Sequence, residues 1–244
     1  TNVPTGIFSC CFLKLVIYIN MPEKLQKNRT LVENVFDKVY DKYDLMNDIM
    51  SFGTHRLWKK KLIKLMNPSN FQSLIDVGCG TGDIGKIYSE ATENRTKILS
   101  VDPNRNMIEK GKKRLKKYNN IEWKVSPAEE LNIEDETYDF YTISFGLRNT
   151  LDIEKSLSEA YRVLKKGGRF LCLEFSKIDN EILNTIYKQY SKILPRIGKI
   201  VVGDKNPYEY LVKTIDEFMS QEELINVLKD KNFINCEYIN LNGG

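Results

Sequence analysis

Three glycines that follow a predicted strand indicate a ligand site in this chain. Residues 73–83 (SLIDVGCGTGD) run from an apolar strand ending near Asp76 into Gly78, Gly80 and Gly82, and a helical stretch follows. Glycine is needed where a ligand approaches the backbone more closely than a Cβ allows, or where φ is positive. In an open α/β sheet, ligands lie at the carboxyl ends of the strands, where the winding direction reverses. The segment therefore predicts a bound ligand at that edge of the sheet.

Two nucleotide cofactors fit this glycine pattern. Gly80-x-Gly82-x-x-Gly85 matches the dinucleotide motif, and Asp102 follows at about the 20-residue distance at which an NAD enzyme holds its ribose. The form D-x-G-x-G-x-G, which begins at Asp76, is instead typical of methyltransferases that use S-adenosyl-L-methionine (AdoMet). We favour AdoMet over NAD, and a purely structural glycine turn is the third interpretation.

Asp102 is the candidate ribose ligand for either cofactor. It ends the second predicted strand, beside the glycine turn. Its carboxylate can accept hydrogen bonds from both ribose hydroxyls, each worth about 1.5–3 kcal/mol because the acceptor is charged. The alternative is a turn or helix-capping residue before Pro103. The position at the strand end favours the ribose.

Short apolar strands and helical stretches alternate after residue 72, which is typical of a parallel sheet with crossover helices. The predicted strands are 73–77, 98–101, 121–125, 138–145 and 169–175, and the predicted helices between them are 84–90, 107–118 and 153–164. Asp152 is the expected N-cap of the third helix, and Lys165 to Gly168 are expected to end it. A helical insertion (about 180–218), a helix (221–229) and a last strand (233–241) complete the pattern. The fold class is α/β, with a doubly wound, mostly parallel sheet.

The amino-terminal third predicts helices ahead of the sheet. Apolar residues recur at helical spacing from Val32 to Met50, and Thr30 with Glu33 fits a capping box. A second helix is expected from about Thr54. We assign residues 28–244 to a single domain and residues 1–27 to an extension. The apolar run 7–19 in that extension is shorter than the ~20 residues of a membrane span, so disorder and a targeting or membrane-surface role both stay open.

Composition excludes several classes of protein. The 244 residues are 41% hydrophobic and 29% charged, which is typical of a globular domain and not of a disordered or multi-span membrane protein. The net charge of +4 is too small to indicate a nucleic-acid partner. The five cysteines form no C-x-x-C pair and His55 is the single histidine, so we predict no metal site and a reducing compartment.

Several sequence blocks together resemble the UbiE family of quinone-biosynthesis C-methyltransferases, over roughly residues 31–244. The glycine block DVGCGTGD (76–83) is common to all class I AdoMet methyltransferases, whereas three other blocks are specific to this family. They are YDLMN (43–47), GLRN (146–149) and LPRIG (194–198). The resemblance implies a class I, Rossmann-like methyltransferase fold with an N-terminal helical lid and a helical insertion before the last strand.

The resemblance also implies which residues bind the cofactor AdoMet. They are Asp76, Gly78, Gly80 and Thr81 around the glycine turn, Asp102 at the ribose, Pro127 and Ala128 after the third strand, and Ser144 after the fourth. One of these positions departs from the family pattern, which has Asn or Asp where this chain has Pro127. Because proline offers no side-chain polar group, any adenine contact there must come from the backbone of Ala128 or a neighbour.

The implied reaction is methyl transfer to a ring carbon of a polyprenyl methoxy-benzoquinol in ubiquinone biosynthesis. Aromatic carbon becomes a good nucleophile only after a ring hydroxyl loses its proton. Arg148 is the first candidate for this step, since a guanidinium lowers the pKa of a nearby phenol or water. Tyr43 and His55 are further catalytic candidates, and Asn47, Arg56 and Asn149 are substrate-binding candidates.

Each of these polar candidates has a plainer interpretation. His55 has a suitable ordinary pKa for a base, but a lone histidine at a helix start more often has no catalytic role. Asn149 could cap the helix after Asp152 instead of binding a ring oxygen. The cluster of Met46, Ile49, Met50 and Phe52 could line a channel for the prenyl tail, and such a stripe is more often core.

The resemblance further implies partners and a location. It implies peripheral association with the matrix side of the mitochondrial inner membrane, contact with other quinone-biosynthesis proteins, and a homodimer, with no nucleic-acid partner. The basic run from Arg56 to Lys64 could seat the protein on anionic lipid, although such runs are usually solvated helix faces. Family members continue beyond Gly244 into one more antiparallel strand, so the predicted strand 233–241 is expected to lack a partner, which puts full activity in doubt.

Three other functions remain as alternatives from the sequence. The first is a non-catalytic AdoMet-binding subunit of a quinone-synthesis assembly, and the second is an NAD-dependent oxidoreductase. The third is an RNA methyltransferase, which only the basic stretches 56–64 and 105–117 favour. These stretches lack an obvious interleaving of aromatic residues of the kind that stack on bases.

Overall fold

A computed structural model of the chain describes residues 27–40, 43–51, 53–176 and 181–241. The predicted extension lies almost wholly outside these ranges, so its separation from the domain at residue 28 stays a prediction. Among the described residues, none of the helices combines the length and the apolar character that crossing a bilayer requires.

Five parallel strands form the central sheet. They are β1 (Leu74–Val77), β2 (Ile98–Asp102), β3 (Ile121–Val125), β4 (Tyr138–Ser144) and β5 (Leu164–Leu173). Their order across the sheet is β3-β2-β1-β4-β5, and Val77 of β1 pairs with Val101 on one side and Ile143 on the other. The winding direction therefore reverses between β1 and β4, which confirms the predicted doubly wound α/β fold. The carboxyl ends of these two strands are where such folds bind ligands.

Nine α-helices and one short 3-10 helix surround the sheet in the described part of the chain. They are α1 (Arg29–Val39), α2 (Tyr43–Ser51), α3 (His55–Met66), α4 (Asp83–Ala91), α5 (Arg105–Arg114), the 3-10 helix (Leu147–Asn149), α6 (Ile153–Val163), α7 (Glu181–Val202), α8 (Asn206–Asp216) and α9 (Gln221–Asp230). The predicted helical insertion is therefore the pair α7 and α8, and each predicted crossover helix is present.

Alternating side chains of the strands build two separate cores, one on each face of the sheet. Ile75 and Val101 pack with Leu157 of α6 and Leu228 of α9 on one face. On the other face, β1, β2 and β4 pack against α3, α4 and Leu115. A third cluster joins α1 and α2 to α7 and α8, so the amino-terminal helices pack against the insertion.

Helix boundaries near the amino terminus differ from the prediction. The stripe from Val32 to Met50 is divided between α1 and α2, which are separate helices. The N-cap of α1 is Asn28, whose side chain accepts a hydrogen bond from the Leu31 amide at 2.8 Å. Thr30 lies inside the helix, so the predicted capping box is wrong. Asn28, two residues earlier, caps the helix instead. Both asparagine and threonine side chains can accept a hydrogen bond from a backbone amide that has no partner within the first turn of a helix.

Two predictions near the carboxyl terminus also need correction. Residues 233–241 contain no strand, because no described strand pairs with them and isolated extended backbone gains no ladder hydrogen bonds. Phe233 and Cys236 instead pack against the core cluster of α6 and α9. The second correction concerns the start of β5. The strand was predicted to begin at residue 169, but it begins at Leu164, directly after α6. Its register with β4 shifts between Tyr138 and Phe140.

Candidate active site

A cleft opens at the carboxyl ends of β1, β2 and β4, beneath α1. Six of the residues predicted for the site line it, and they are Gly78, Gly80, Asp102, Pro127, Ala128 and Asn149. The cleft is open and not filled by the protein's own side chains. It has the position at which doubly wound sheets bind nucleotide ligands.

The glycine turn after β1 forms the floor of the cleft. Gly78, Gly80 and Gly82 all have positive φ angles, at +63°, +55° and +87°. A Cβ on Gly82 would lie 2.5 Å from the ring of Trp123 on β3, so only glycine fits there. The packing of Trp123 against this glycine fixes the turn, and the backbone of Gly78 and Gly80 faces the cleft.

Asp102 lies at the end of β2 with its carboxylate at the cleft wall. One carboxylate oxygen accepts a hydrogen bond from the Gly80 backbone amide at 2.8 Å, and the other accepts one from the Asn104 backbone amide at 2.9 Å. Each oxygen therefore keeps one lone-pair direction for a further donor. A pair of vicinal hydroxyls, such as those of a ribose, matches this arrangement.

Burial raises the pKa of Asp102 from 3.8 to about 6, while the two amide donors act in the opposite direction. As the pH falls through this value, the free protein takes up a proton at a carboxylate that must be charged to accept two hydroxyls. We expect the affinity for AdoMet to fall with pH below about 6, approaching tenfold per pH unit. Titration calorimetry at a series of pH values on both sides of this pKa measures the dependence.

The control for this titration is the variant Asp102→Asn, which carries no titrating group at that position. Its weaker binding should be independent of pH across the same window. An unchanged pH dependence in this variant would mean that another group is responsible. Asp76 is one such candidate, because burial raises its pKa to about 7.

Asp76, Thr81 and Ser144 were predicted to contact the cofactor, but none of them lines the cleft. Asp76 is fully buried within the sheet and accepts a hydrogen bond from Thr142 at 2.9 Å. Thr81 is also buried, and the Ser144 hydroxyl is buried without a hydrogen-bond partner among the described residues. The carboxylate of Asp76 therefore lies within the sheet and outside the lining of the cleft.

The loop after β3 supplies the third wall of the cleft. Pro127 and Ala128 line it, as does Glu129, which the sequence interpretation did not include. The Glu129 carboxylate accepts hydrogen bonds from the backbone amides of Leu151 at 2.6 Å and Asp152 at 3.2 Å. This carboxylate ties the loop after β3 to the start of α6, so the two sides of the cleft are held together.

The N-terminal helical lid that the resemblance implied is present over the cleft as α1. Arg29, Val32, Glu33 and Phe36 of α1 line the cleft, whereas no described residue of α2 or α3 does. The catalytic candidate His55 and the substrate-binding candidates Asn47 and Arg56 belong to α2 and α3, which pack into the second and third core clusters. The side chain of Tyr43 lies outside the described residues.

His55 is itself buried, and it forms hydrogen bonds with more exposed neighbours instead of facing the cleft. Its Nε2 lies 2.9 Å from a carboxylate oxygen of Asp48. The same carboxylate accepts hydrogen bonds from Nε and Nη2 of Arg56. Burial lowers the pKa of His55 below its usual value of 6.5, against the opposing effect of Asp48. His55 is therefore neutral at pH 7, and its geometry fits the structural interpretation.

Arg148 is almost fully buried, with 1% of its surface exposed. Its Nη1 donates to the Glu174 carboxylate just after β5, and its guanidinium lies 5.4 Å from the centre of the Phe175 ring. The backbone amide of Arg148 also donates to Glu174, at 3.3 Å. The Nε atom is buried without a partner in the described part of the chain. Arg148 is thus one half of a buried ion pair beside the cleft rather than part of its wall.

Asn149, the next residue, does line the cleft. Its side-chain amide donates to the Phe145 carbonyl at 3.1 Å, and its carbonyl oxygen has no partner among the described residues. Asp152 caps α6 by accepting the Lys155 amide at 3.0 Å, so the capping interpretation of Asn149 is wrong. Phe145, which holds this turn, has a φ of +58°, a conformation that non-glycine residues adopt at some cost and often at functional sites.

The predicted channel for a prenyl tail is packed as core. Met46 and Met50 are buried at 1% and 5% exposure, in the cluster that contains Leu194 and Leu211. Phe52 lies outside the described residues. The plainer interpretation of this stripe, a helix–helix contact, agrees with the structure.

Comparison with known proteins identifies the family. Residues 23–244 match the model of the ubiE/COQ5 methyltransferase family. A protein from Rickettsia bellii named ubiquinone/menaquinone biosynthesis C-methyltransferase UbiE is 45% identical over 228 residues, covering 91% of this chain and 92% of that protein. Its counterpart from Rickettsia prowazekii is 45% identical over 89% of this chain and 90% of its own length.

Solved structures of methyltransferases share the fold. A SAM-dependent methyltransferase from Aquifex aeolicus matches with a TM-score of 0.56 and 18% identity, over 79% of this chain and 85% of that one. A protein from Methanococcus maripaludis described as a SAM-dependent methyltransferase matches with a TM-score of 0.55 and 17% identity, over 86% and 87%. These matches confirm the class I methyltransferase fold, and the family match decides against the NAD interpretation. The chain belongs to the ubiE/COQ5 methyltransferase family.

Proposed function

We propose that this protein transfers the methyl group of AdoMet to a ring carbon of a polyprenyl methoxy-benzoquinol in ubiquinone biosynthesis. The observation that carries the proposal is an open cleft beside Asp102 in a chain of this family. The curated relatives, at 45% identity, are named for ubiquinone and menaquinone biosynthesis. When bound, AdoMet supplies an electrophilic methyl group on a positively charged sulfur.

The residues of the cleft fit AdoMet in three respects. The carboxylate of Asp102 keeps free lone pairs for the ribose hydroxyls. Gly78 and Gly80 present only backbone atoms to the cleft, which leaves room for the amino-acid tail. Pro127 and Ala128 offer an apolar surface and backbone groups to the adenine.

Arg148 is the residue that we propose to activate the substrate. Its free Nε–H can donate to a ring oxygen, while Glu174 holds the guanidinium through Nη1. A positive charge beside a phenol stabilises the phenolate and so lowers its pKa. The phenol gives up its proton to water, and electron density moves onto the ring carbon. That carbon would take the methyl group in line with the breaking methyl–sulfur bond, so that S-adenosylhomocysteine leaves and the ring regains its aromaticity by losing the proton at the methylated carbon to water.

The direct test is incubation with methyl-labelled AdoMet and a short-chain methoxy-benzoquinol under reducing conditions. We expect label in the ring, together with S-adenosylhomocysteine in equal amount. AdoMet binding without ring methylation would favour a non-catalytic subunit. Calorimetry with NAD should give no heat of binding, and label in RNA would favour the RNA methyltransferase alternative.

We also propose peripheral contact with an anionic membrane through the exposed face of α3. Lys60, Lys61 and Lys64 on this face form no ion pair with any described residue, whereas Lys59 is buried against Asp83 at 2.8 Å. Leu57 and Leu65 on the same face are 65% and 40% exposed. Lysines around exposed leucines are typical of helices that lie on anionic lipid.

The membrane proposal predicts that Lys60→Gln/Lys64→Gln weakens binding to anionic vesicles. Each lysine near such a surface is worth about 1 kcal/mol, so the pair should cost about 2 kcal/mol, or roughly 30-fold in partitioning. Vesicle co-sedimentation measures this. The control Lys113→Gln/Lys116→Gln removes the same charge from exposed positions at and just beyond the end of α5, and it should bind nearly as wild type. Equal losses in the two variants would contradict a specific role for α3.

Location and assembly follow from the resemblance alone. The matrix side of the mitochondrial inner membrane, a homodimer and contacts with other quinone-biosynthesis proteins are proposals, and the relatives described above are bacterial. Subcellular fractionation with a tagged chain is the experiment that decides the location.

A further inference from the structure

The loop after β2 is hydrogen-bonded to the lid helix α1 at the edge of the cofactor cleft. The side-chain amide of Asn104 donates to a carboxylate oxygen of Asp37 on α1 at 2.8 Å, and the side-chain amide of Asn106 donates to the same oxygen at 3.0 Å. Asn104 is 7% exposed and lines the cleft. Hydrogen bonds to a charged acceptor are stronger than those between neutral groups, so these two bonds attach the lid to the sheet side of the cleft.

Asn104 connects this attachment to Asp102. Its backbone amide donates to the Asp102 carboxylate at 2.9 Å. Its side-chain oxygen accepts a hydrogen bond from the Met107 backbone amide at 3.0 Å, as the N-cap of α5. Because the oxygen is used in the cap, the NH2 group of the side chain is the end that faces Asp37. One residue therefore holds together the candidate ribose acceptor, the start of α5 and the lid.

Two further contacts define how α1 is held. The Lys110 ammonium of α5 donates to the Tyr40 carbonyl at the end of α1, at 2.9 Å, and lies 5.9 Å from the centre of the Tyr40 ring. Toward the helical insertion, Val35 of α1 is buried in the cluster that contains Leu211 of α8. Apolar packing thus holds α1 on the side of the insertion, and polar bonds hold it on the side of the sheet.

We infer that Asp37 and Asn104 are positioning residues for AdoMet, whose hydrogen bond keeps α1 in place over the bound cofactor. This inference rests on the proposed function only in placing AdoMet in the cleft, and it does not depend on the methyl acceptor. Val32 and Phe36 of α1 line the cleft, and they contact a ligand there only while α1 stays in position. A helix that is fixed before binding need not be ordered on binding, so the bond raises affinity, mainly by slowing release.

The variant Asp37→Ala tests the inference by removing the acceptor. We expect AdoMet to dissociate roughly 3–10-fold faster, with the Kd raised by the same factor and the association rate nearly unchanged. Chase of methyl-labelled AdoMet with excess unlabelled cofactor measures the dissociation rate, and calorimetry measures the Kd. The Tm should stay near that of the wild type, because alanine is favoured within a helix. Asp37→Asn keeps an acceptor oxygen and should restore most of the slow release.

The variant Asn104→Ser tests the other partner. Serine can still cap α5, and the backbone amide that donates to Asp102 is retained, but the serine side chain is too short to reach Asp37. We expect faster release here as well. The double variant Asp37→Ala/Asn104→Ser should release AdoMet no faster than Asp37→Ala alone, because both changes remove the same interaction. Additive effects of the two changes would contradict a shared role.

Lys38→Gln is the matched control on the same helix. Lys38 pairs with Asp204 at 2.9 Å, so this variant also removes a charge and an ion pair from α1 while leaving the bonds to the loop after β2. We expect wild-type release and Kd. Equally fast release in Lys38→Gln would show that any loosening of α1 has this effect, and it would overturn the assignment to Asp37 and Asn104.

Three other outcomes would also overturn the inference. The first is wild-type release in both Asp37→Ala and Asn104→Ser, and the second is a lowered Tm with an unchanged Kd, as for a bond that only supports the fold. The third is a proportional increase of both rate constants, since a bond that only obstructs entry leaves the Kd unchanged. Each of these leaves the proposed function intact. A wild-type protein that retains no labelled AdoMet would instead contradict the proposed function itself.

Discussion

Replacing Asp102 by asparagine should raise the Kd for AdoMet roughly 100-fold or more at a pH above the pKa of this carboxyl, where it is ionised. The variant loses the charge of an acceptor for two ribose hydroxyls, and hydrogen bonds to a charged group are worth about 1.5–3 kcal/mol each. Asparagine also has one acceptor oxygen where Asp102 uses two, for the amides of Gly80 and Asn104. One of these amides then lacks its partner, which disturbs the glycine turn as well.

The matched control is Asp139→Asn. Asp139 is also a partly buried strand residue that accepts a backbone amide, that of Ser73 at 2.8 Å, but it lies at the opposite end of the sheet. Titration calorimetry should give wild-type affinity for this control. If Asp102→Asn binds AdoMet as tightly as the wild type, with a normal Tm, then Asp102 does not hold the cofactor.

The sheet and the glycine turn could be predicted because their signals are local. Each strand is a short apolar run, and the glycines after Asp76 favour a turn because they adopt positive φ angles without strain. The position of Asp102 beside that turn then follows from the parallel order of β1 and β2. The sequence therefore predicts the cofactor half of the site.

The other half depends on contacts that are distant in sequence. Glu174 lies 26 residues after Arg148, and only the pairing of β4 with β5 brings the two together. The choice of α1 over α2 as the lid likewise depends on how the amino-terminal helices pack against α7 and α8. Helical periodicity identifies an apolar face, but it does not identify the partner of that face.

Removal of the Arg148 side chain alone should destabilise the protein, because Glu174 would be left as a buried charge without the guanidinium that pairs with it. Breaking a buried ion pair in this way costs about 3–5 kcal/mol. For a chain of this size the loss corresponds to a fall in Tm of roughly 6–20 °C. The variant Arg148→Met should show this decrease by calorimetry, so its loss of activity could not be assigned to catalysis.

The double variant Arg148→Met/Glu174→Gln separates folding from catalysis. It removes both charges, and the glutamine carbonyl can still accept the amide of Phe175, which donates to Glu174 at 2.9 Å. We expect most of the lost stability to return, since neither partner is then an uncompensated ion. AdoMet affinity should be that of the wild type, because neither residue lines the cleft.

Turnover of the double variant should nevertheless fall about 100–1000-fold, the usual effect of losing one group that stabilises developing negative charge. The defect should diminish as the pH rises, because bulk hydroxide then ionises the quinol without help from Arg148. A stable double variant with wild-type turnover would show that the ion pair only supports the fold. A stable variant with a rate defect that is constant with pH would show that Arg148 positions the ring without promoting its ionisation.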